Sequence, residues 1–265
     1  MAGLAAALTV AGSDPSGGAG IQADLKTFHQ FGIYGAAAIA CVTVQNTMRV
    51  SRVEPLDARL VREQIDAVLE DIHPAAAKTG ALAAPDIVLT VAEALRGRDL
   101  PLVVDPVMIS KHGTPLLSDS AYGALREHLL PIATLVTPNL AEASLLTGME
   151  IISVPQMRRA AEAIAEMGPR AVLIKGGHLS GLPVDVLYWG GRWEEYAAER
   201  VTTANTHGTG CAYSAAITAL LARGVALTEA IPIAKAWLTD AIRTNPGIGH
   251  GSGPINHLAP VRTAP

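Results

Sequence analysis

The stretch LTVAGSDPSGGAGIQADLKTF, residues 8–28, contains the local pattern that decides the fold. An apolar run over residues 5–11 enters a glycine-rich loop, and Ile21, Leu25 and Phe28 then recur at the spacing of one helix face. The stretch therefore predicts a strand, a loop and a helix in that order. The same order returns along most of the chain, which is typical of an α/β fold with a mainly parallel sheet.

Apolar runs and amphipathic stretches alternate almost to the end of the chain. Several apolar runs lack the alternation of a half-exposed strand, which indicates strands covered on both faces. The other predicted strands are residues 37–44, 76–79, 102–105, 134–137 and 171–175. The predicted helices after the first are residues 61–72, 86–96, 120–130, 140–147, 156–167, 211–223 and 228–243. Residues 186–189 and 192–196 flank Gly190-Gly191 and predict a small antiparallel hairpin.

The composition limits the class of protein. Of 265 residues, 49% are hydrophobic and 17% are charged, which fits a single domain over residues 1–265 and excludes disorder. The 20 basic and 24 acidic side chains give a net charge of −4, so neither nucleic acid nor an anionic membrane is expected as a partner. The uncharged stretches 27–48 and 201–222 are interrupted by polar residues and predict no membrane span. The only two cysteines, Cys41 and Cys211, exclude a disulfide scaffold and favour a cytoplasmic location.

Polar or glycine residues follow six of the predicted strands. In an open parallel sheet, ligands bind beyond the carboxyl ends of the strands, so these residues are expected to share one site. They are Gly12-Ser13-Asp14, Gln45-Asn46, Lys78-Thr79-Gly80, Asp105-Pro106, Thr137-Pro138-Asn139 and Lys175-Gly176-Gly177.

The first glycine loop has more than one interpretation. Gly18-x-Gly20-x-x-Ala23 matches the spacing of a dinucleotide fingerprint, but the second strand does not end in the acidic residue that such a site needs. No Gly-Lys-Ser/Thr follows the glycines, which excludes a P-loop. The loop is then either a tight turn or a flexible backbone that closes on a small ligand. Asp24, early in the next helix, either stabilises the helix dipole or points its carboxylate at that ligand.

A second glycine cluster, Asn205-Thr206-His207-Gly208-Thr209-Gly210-Cys211, leads into an apolar helix. Free N–H groups at a helix start bind anions, so Thr206, Gly208, Thr209 and Gly210 are candidates for a phosphate site. We expect Cys211 to have a depressed pKa there and to be partly thiolate, unless it is only a small buried residue at a helix start.

Two further positions point to phosphate and metal chemistry. Asn139-x-x-Glu142 is either a capping box or, together with Asp105, a site for Mg²⁺, which commonly binds one or two carboxylates plus substrate phosphates. Lys175 ends a buried strand, where an amine is costly unless it meets an anion, so it is a candidate phosphate ligand.

Six motifs, in order, resemble the ribokinase superfamily, specifically the hydroxymethylpyrimidine and phosphomethylpyrimidine kinases of thiamine biosynthesis. The motifs lie at residues 11–27, 45–47, 105–108, 137–142, 175–178 and 205–211. The resemblance implies a single ribokinase-like three-layer α/β/α domain that forms a homodimer. It also implies ATP, Mg²⁺ and successive phosphorylation of 4-amino-5-hydroxymethyl-2-methylpyrimidine (HMP) to HMP phosphate and HMP diphosphate.

The resemblance also implies roles for individual residues. Gly12, Asp24 and Gln45 would contact the pyrimidine with Val107 nearby, and Asp24 would accept from its 4-amino group. Further implied roles are Gly208 to Cys211 around the transferred phosphoryl group, Lys175 on the ATP phosphates, and Asp105, Asn139 and Glu142 around Mg²⁺.

Cys211 occupies a position where the wider superfamily usually has an aspartate base. We hypothesise that this exchange suits an enzyme with two acceptors, because a thiol is a base when ionised and adds no fixed charge beside a phosphate acceptor when protonated. Three other functions stay open at this point: a pyridoxal or pyridoxine kinase of the same superfamily, an NAD-dependent oxidoreductase, and a non-catalytic pyrimidine-binding protein.

Overall fold

One twisted sheet of nine strands organises the molecule. The computed structural model describes residues 4–109 and 113–262, so both ends of the predicted domain, residues 1–3 and 263–265, lie outside it. The strands are β1 (Ala6–Ser13), β2 (Tyr34–Gln45), β3 (Val50–Pro55), β4 (Ala76–Thr79), β5 (Leu102–Val104), β6 (Leu135–Val136), β7 (Ala171–Ile174), β8 (Val184–Trp189) and β9 (Arg192–Ala197). Their order across the sheet is β3-β2-β1-β4-β5-β6-β7-β8-β9.

Six neighbouring strands, β2, β1, β4, β5, β6 and β7, are mutually parallel. The mainly parallel sheet predicted from the unbroken apolar runs is therefore confirmed, as is the hairpin, in which Val184 pairs with Ala197 and Trp189 with Arg192. Because the six strands run the same way, their carboxyl ends lie along one edge of the sheet.

Helices cover both faces of the sheet. They are α1 (Gly20–Gln30), α2 (Ala58–Asp71), α3 (Pro85–Leu95), α4 (Asp119–Ala124), α5 (Leu140–Thr147), α6 (Val154–Ala165), α7 (Thr209–Ala222) and α8 (Leu227–Arg243). The buried residues Phe28, Ile217 and Trp237 place α1, α7 and α8 in one core. Ile65 and Ile164 belong to a second core with α2 and α6. The two cores on opposite faces confirm the three-layer α/β/α architecture.

Two elements differ from the sequence prediction. Strand β3 was not predicted, and it pairs antiparallel with β2 at the edge of the sheet, where each of its residues keeps some exposure. The predicted helix over residues 120–130 changes form: α4 gives way to a π-helical turn, Leu125–Leu129, and then to a 3₁₀ turn, Leu130–Ile132. Pro131 ends the regular helix because it has no N–H to donate. Within residues 4–109 and 113–262, no helix has the length and apolar character needed to cross a membrane.

Candidate active site

Asp105 and Lys175, which follow β5 and β7, form an ion pair at the carboxyl edge of the sheet. Lys175 Nζ donates to Asp105 Oδ1 at 2.7 Å, and the hydroxyls of Thr137 and Ser214 lie 3.2 and 3.3 Å from the two carboxylate oxygens. Burial disfavours the charged carboxylate, but Lys175 and Lys78 outweigh that effect and lower the pKa of Asp105. Asp105 is therefore ionised at neutral pH and holds the ammonium of Lys175 at this edge.

Asn139 and Glu142 form the capping box of α5. The Asn139 N–H donates to Glu142 Oε2 at 2.7 Å, and the Glu142 N–H donates to Asn139 Oδ1 at 2.9 Å. Burial raises the pKa of Glu142 to about 7, with Asp105 adding to the rise and Lys175 opposing it. The box orients both side chains, and the side-chain oxygen of Asn139 keeps a second lone pair.

The second glycine cluster starts α7 and provides backbone N–H groups for an anion. Gly208 is the N-cap with φ +77°, and a side chain there would lie 1.8 Å from the carbonyl oxygen of Gly18. A side chain at Gly210 would come within 3.3 Å of Lys175 Nζ. The helix start, with Thr206 just before it, thus lies between the first glycine loop and the Asp105–Lys175 pair. The predicted grouping of these residues at one edge is what the structure shows.

The environment of Cys211 contradicts the expectation, made from the sequence, that this residue is partly thiolate. Burial raises the pKa of Cys211 to about 12, because it outweighs the charge of Lys78, while Asp24 and Asp105 raise the pKa further. The residue keeps partial exposure, but the helix start does not compensate for the desolvation of its sulfur next to two carboxylates. Cys211 is therefore a neutral thiol at physiological pH.

Asp24 also differs from its predicted role. Its side chain exposes 0% of its surface, and its Oδ2 accepts from Lys78 Nζ at 2.9 Å and from the Thr9 hydroxyl at 2.7 Å. Its Oδ1 has no hydrogen-bond partner among the described residues, but it is equally buried. A direct contact with the amino group of a ligand is therefore not the arrangement of this structure, and Asp24 instead lies beneath the site as the counter-ion of Lys78.

The remaining predicted residues surround the first glycine loop. A side chain at Gly12 would lie 2.7 Å from Cys41 Sγ, so glycine is needed where β1 ends. Gln45 ends β2 half-buried, and one atom of its amide lies 3.2 Å from His207 Nε2. Val107 is half-buried after β5, beside Asp105. These positions leave Gln45 as the polar side chain of this group that faces both the loop and the second glycine cluster.

Three residues of the site were not assigned a role from the sequence: Asp14, Lys78 and His207. Lys78 sits in the fully buried strand β4, and an amine in such a strand was the signal for a buried ion pair. His207 lies inside the second glycine cluster, but its partner Asp14 is 2.8 Å away in space and 193 positions away along the chain. No local pattern joins those two residues.

The donor set suits a magnesium ion that keeps water and phosphate ligands. The site has two buried carboxylates, on Asp105 and Glu142, and burial raises the pKa of Glu142 despite the opposing charge of Lys175. Magnesium commonly binds one or two carboxylates and completes its shell from substrate phosphates. No cluster of three or more His, Cys, Asp or Glu side chains suited to a metal occurs among the described residues, so an all-protein cage is absent there.

Comparison with known proteins assigns the family. The sequence model described as phosphomethylpyrimidine kinase matches residues 14–256. The chain belongs to the phosphomethylpyrimidine kinase family. A hydroxymethylpyrimidine/phosphomethylpyrimidine kinase from Synechococcus elongatus is 45% identical over 257 residues, covering 96% of this chain and 98% of the relative.

Solved structures support the same family. The phosphomethylpyrimidine kinase of Clostridium difficile is similar with a TM-score of 0.80 and 45% identity, over 90% of this chain and 99% of the other. An ADP complex of Bacillus subtilis pyridoxal kinase is similar with a TM-score of 0.90 and 42% identity, over 97% of this chain and 98% of the other. Membership of the phosphomethylpyrimidine kinase family makes the chain a phosphotransferase and removes the oxidoreductase and non-catalytic alternatives.

Proposed function

We propose that this chain transfers the γ-phosphoryl group of ATP to HMP and then to HMP phosphate, giving HMP diphosphate for thiamine biosynthesis. The observation that carries the proposal is the contact between the two glycine loops, where Gly208 packs on the backbone of Gly18. That contact brings the anion site at the start of α7 next to the loop assigned to the pyrimidine. Family membership supports the identity of both substrates.

The proposed chemistry depends on charged groups and hydrogen-bond donors that are already held in position before the reaction. Phosphoryl transfer depends mainly on positioning and on stabilising the charge of the transferred group. In this proposal Thr206, Gly208, Thr209 and Gly210 supply backbone and hydroxyl donors, and Lys175 supplies a positive charge that Asp105 holds in place. Gly12, Gln45 and Val107 would hold the pyrimidine, with Asp24 acting only through Lys78.

Magnesium is the second part of the proposal. Asp105 and Glu142 would hold the ion, and Asn139 would orient Glu142 through the capping box. When bound, magnesium would neutralise charge on the ATP phosphates. The buried carboxylate of Glu142 supports the assignment, because a bound cation would favour the ionised form of Glu142 that burial disfavours.

Cys211 keeps one part of its predicted role. A thiol with a pKa of about 12 does not act as the base at neutral pH. It still adds no fixed negative charge beside the anion site, whereas an aspartate would repel the phosphate of the second acceptor. We therefore propose that Cys211 is present for its neutrality.

An assay with ATP on HMP and on HMP phosphate tests the proposal, with product phosphates counted. We expect two ATP consumed per HMP and a diphosphate product. Pyridoxal is the second candidate acceptor, because the fold is so similar to that of a pyridoxal kinase. Phosphorylation of pyridoxal without phosphorylation of HMP would overturn the main proposal.

Three broader features belong to the same proposal. We propose that residues 1–265 form one kinase domain, since one sheet joins strands from Ala6 to Ala197. We propose a homodimer, which the exposed apolar side chains of Tyr34, Val42 and Val44 on β2 support. A cytoplasmic location is supported by the two free thiols, which persist in reducing compartments. Size-exclusion chromatography with light scattering tests the dimer.

A further inference from the structure

His207 and Asp14 form a buried pair behind Gln45. His207 is 3% exposed, and its backbone N–H donates to Gly253 O at 3.0 Å. A side chain at Gly18 would lie 2.4 Å from His207 Cδ2, so the loop backbone packs directly on the imidazole. The ring has little freedom to rotate or move.

Asp14 decides which nitrogen of His207 carries the proton. Its carboxylate accepts from Ser16 N, Ser16 Oγ and Ala19 N at 2.8 to 2.9 Å, and it lies 2.8 Å from His207 Nε2. The hydrogen bonds from His207 and Ser16 outweigh the effect of burial and lower the pKa of Asp14. An ionised carboxylate only accepts, so His207 Nε2 must carry a hydrogen and donate it.

That donor fixes one end of the Gln45 amide. One amide atom of Gln45 lies 3.2 Å from the same His207 Nε2. An NH₂ group would place two donors against each other there, whereas the amide oxygen would share the N–H of His207. Hydrogen-bond networks, rather than atomic positions, distinguish the oxygen and nitrogen of an amide. The network therefore assigns the oxygen of Gln45 to the His207 end, which is the reverse of the amide orientation recorded in the structure, where Nε2 lies there.

Thr43 fixes the other end independently. Its hydroxyl lies 3.0 Å from the backbone carbonyl of Ser13 and 3.3 Å from the second amide atom of Gln45. The carbonyl only accepts, so the single hydrogen of Thr43 is used on Ser13. Thr43 can then only accept from Gln45, which requires NH₂ at that end. Both ends of the amide give the same orientation.

We propose that Asp14, His207 and Thr43 are positioning residues that lock the Gln45 amide and so select a ring edge with an amino group beside an unprotonated ring nitrogen. This inference rests on the proposed function. The locked amide keeps one N–H and one oxygen lone pair free, which is the pairing that glutamine makes with the amino and ring-nitrogen edge of adenine. HMP offers that edge. Its 4-oxo analogue offers the reverse pattern, which a freely rotating glutamine would read equally well.

The test is the ratio of kcat/KM for HMP to that for 2-methyl-5-hydroxymethylpyrimidin-4-one, the 4-oxo analogue. We expect the wild-type chain to prefer HMP by about 100-fold, because one bidentate pair of hydrogen bonds can discriminate between two ring edges by about that factor. Thr43→Val and His207→Phe should each reduce the ratio by about 10-fold. His207→Gln, which restores an N–H, should recover most of the preference. Thr218→Val removes another buried hydroxyl, which donates to Ser214 O in α7, and should leave the ratio unchanged.

A second measurement does not depend on variant folding. Two-bond ¹H–¹⁵N spectra of the ¹⁵N-labelled wild-type protein report which imidazole nitrogens are protonated, and His207 should show a protonated Nε2. The proposed positioning of Gln45 would be refuted if Nε2 of His207 were unprotonated. It would also be refuted if Thr43→Val left the ratio of kcat/KM for HMP to that for the 4-oxo analogue unchanged. Absence of any HMP phosphorylation by the wild-type protein would instead refute the proposed function.

Discussion

At the scale of single residues, Lys175 is the most informative position. Its ammonium is fixed 2.7 Å from Asp105 and adjoins the start of α7, so it is ready to meet a phosphate without rearrangement. Removing one preorganised donor from such a site costs roughly 10²–10³ in kcat. We expect Lys175→Met to lose about that much in kcat, and Lys175→Arg, which keeps the charge, to lose less. Steady-state kinetics with varied ATP and HMP measure both. Equal losses in the two variants would contradict a role for the charge.

The pKa of Cys211 makes a pH prediction with a definite sign. A pKa of about 12, three units above the ordinary value of 9.0, means roughly a thousandfold less thiolate at pH 8 than a free cysteine has. We expect iodoacetamide to label Cys211 slowly, at a rate that still rises with pH above pH 9. Mass spectrometry of peptides from timed samples measures that rate. Rapid labelling at pH 7 would show that the sulfur is ionised after all.

Cys211→Asp separates the two half-reactions. An aspartate adds a fixed negative charge at the start of α7, where the second acceptor brings a phosphate. We expect this variant to lose at least tenfold more kcat/KM with HMP phosphate than with HMP, since like charges at close range cost more than 1.4 kcal/mol in a buried site. Cys211→Ser, which stays neutral, serves as the control and should affect the two acceptors similarly. A proportional loss on both acceptors in Cys211→Asp would argue against neutrality as the reason for the cysteine.

At the scale of elements, the two ends of α7 offer a matched pair of glycines. Gly208 and Gly224 have almost the same backbone angle, φ +77° and +78°, but a side chain at Gly208 would strike Gly18 O while one at Gly224 meets nothing within 4 Å. We expect Gly224→Ala to lower the free energy of unfolding by about 1–2 kcal/mol, the cost of a left-handed alanine, with activity retained. Gly208→Ala should cost more stability and abolish activity. Denaturant unfolding and the ATP assay compare them, and comparable effects would show that the loop contact is dispensable.

The elements also show what the sequence could predict. Apart from the helix over residues 120–130, the parallel strands and the helices that cover them were predicted to within a few residues. Apolar runs such as β7 and periodic faces such as that of α2 depend only on the local sequence. Strand β3 escaped prediction since a partly exposed edge strand needs no apolar pattern. The residues of the carboxyl edge were predicted because strand ends mark it. The neutral state of the Cys211 thiol and the fixed orientation of the Gln45 amide were not predicted. Both depend on charges and hydrogen-bond donors from segments that are distant along the chain.

At the scale of the whole molecule, a C-terminal segment over residues 251–254 connects two parts of the site. Ser252 N–H donates to Thr47 O at 2.8 Å, just beyond the end of β2, and Gly253 accepts from the backbone N–H of His207. The segment therefore links the loop that follows Gln45 to the second glycine cluster. We expect Ser252→Pro, which removes the N–H, to raise KM for HMP about 5–10-fold, because loss of one hydrogen bond costs on the order of 1 kcal/mol and frees the loop.

The same change should leave KM for ATP within about twofold, because the hydrogen bond that it removes goes to Thr47, in the loop after Gln45. The bond from His207 N–H to Gly253 O, which holds the second glycine cluster, is kept. Ser252→Ala keeps the N–H and loses only the hydroxyl that donates to Ala204 O, so it should leave both KM values close to those of the wild-type protein. Initial rates over a grid of both substrates measure the two constants together. If Ser252→Pro raised both constants equally, the segment would stabilise the fold as a whole rather than the pyrimidine side of the site.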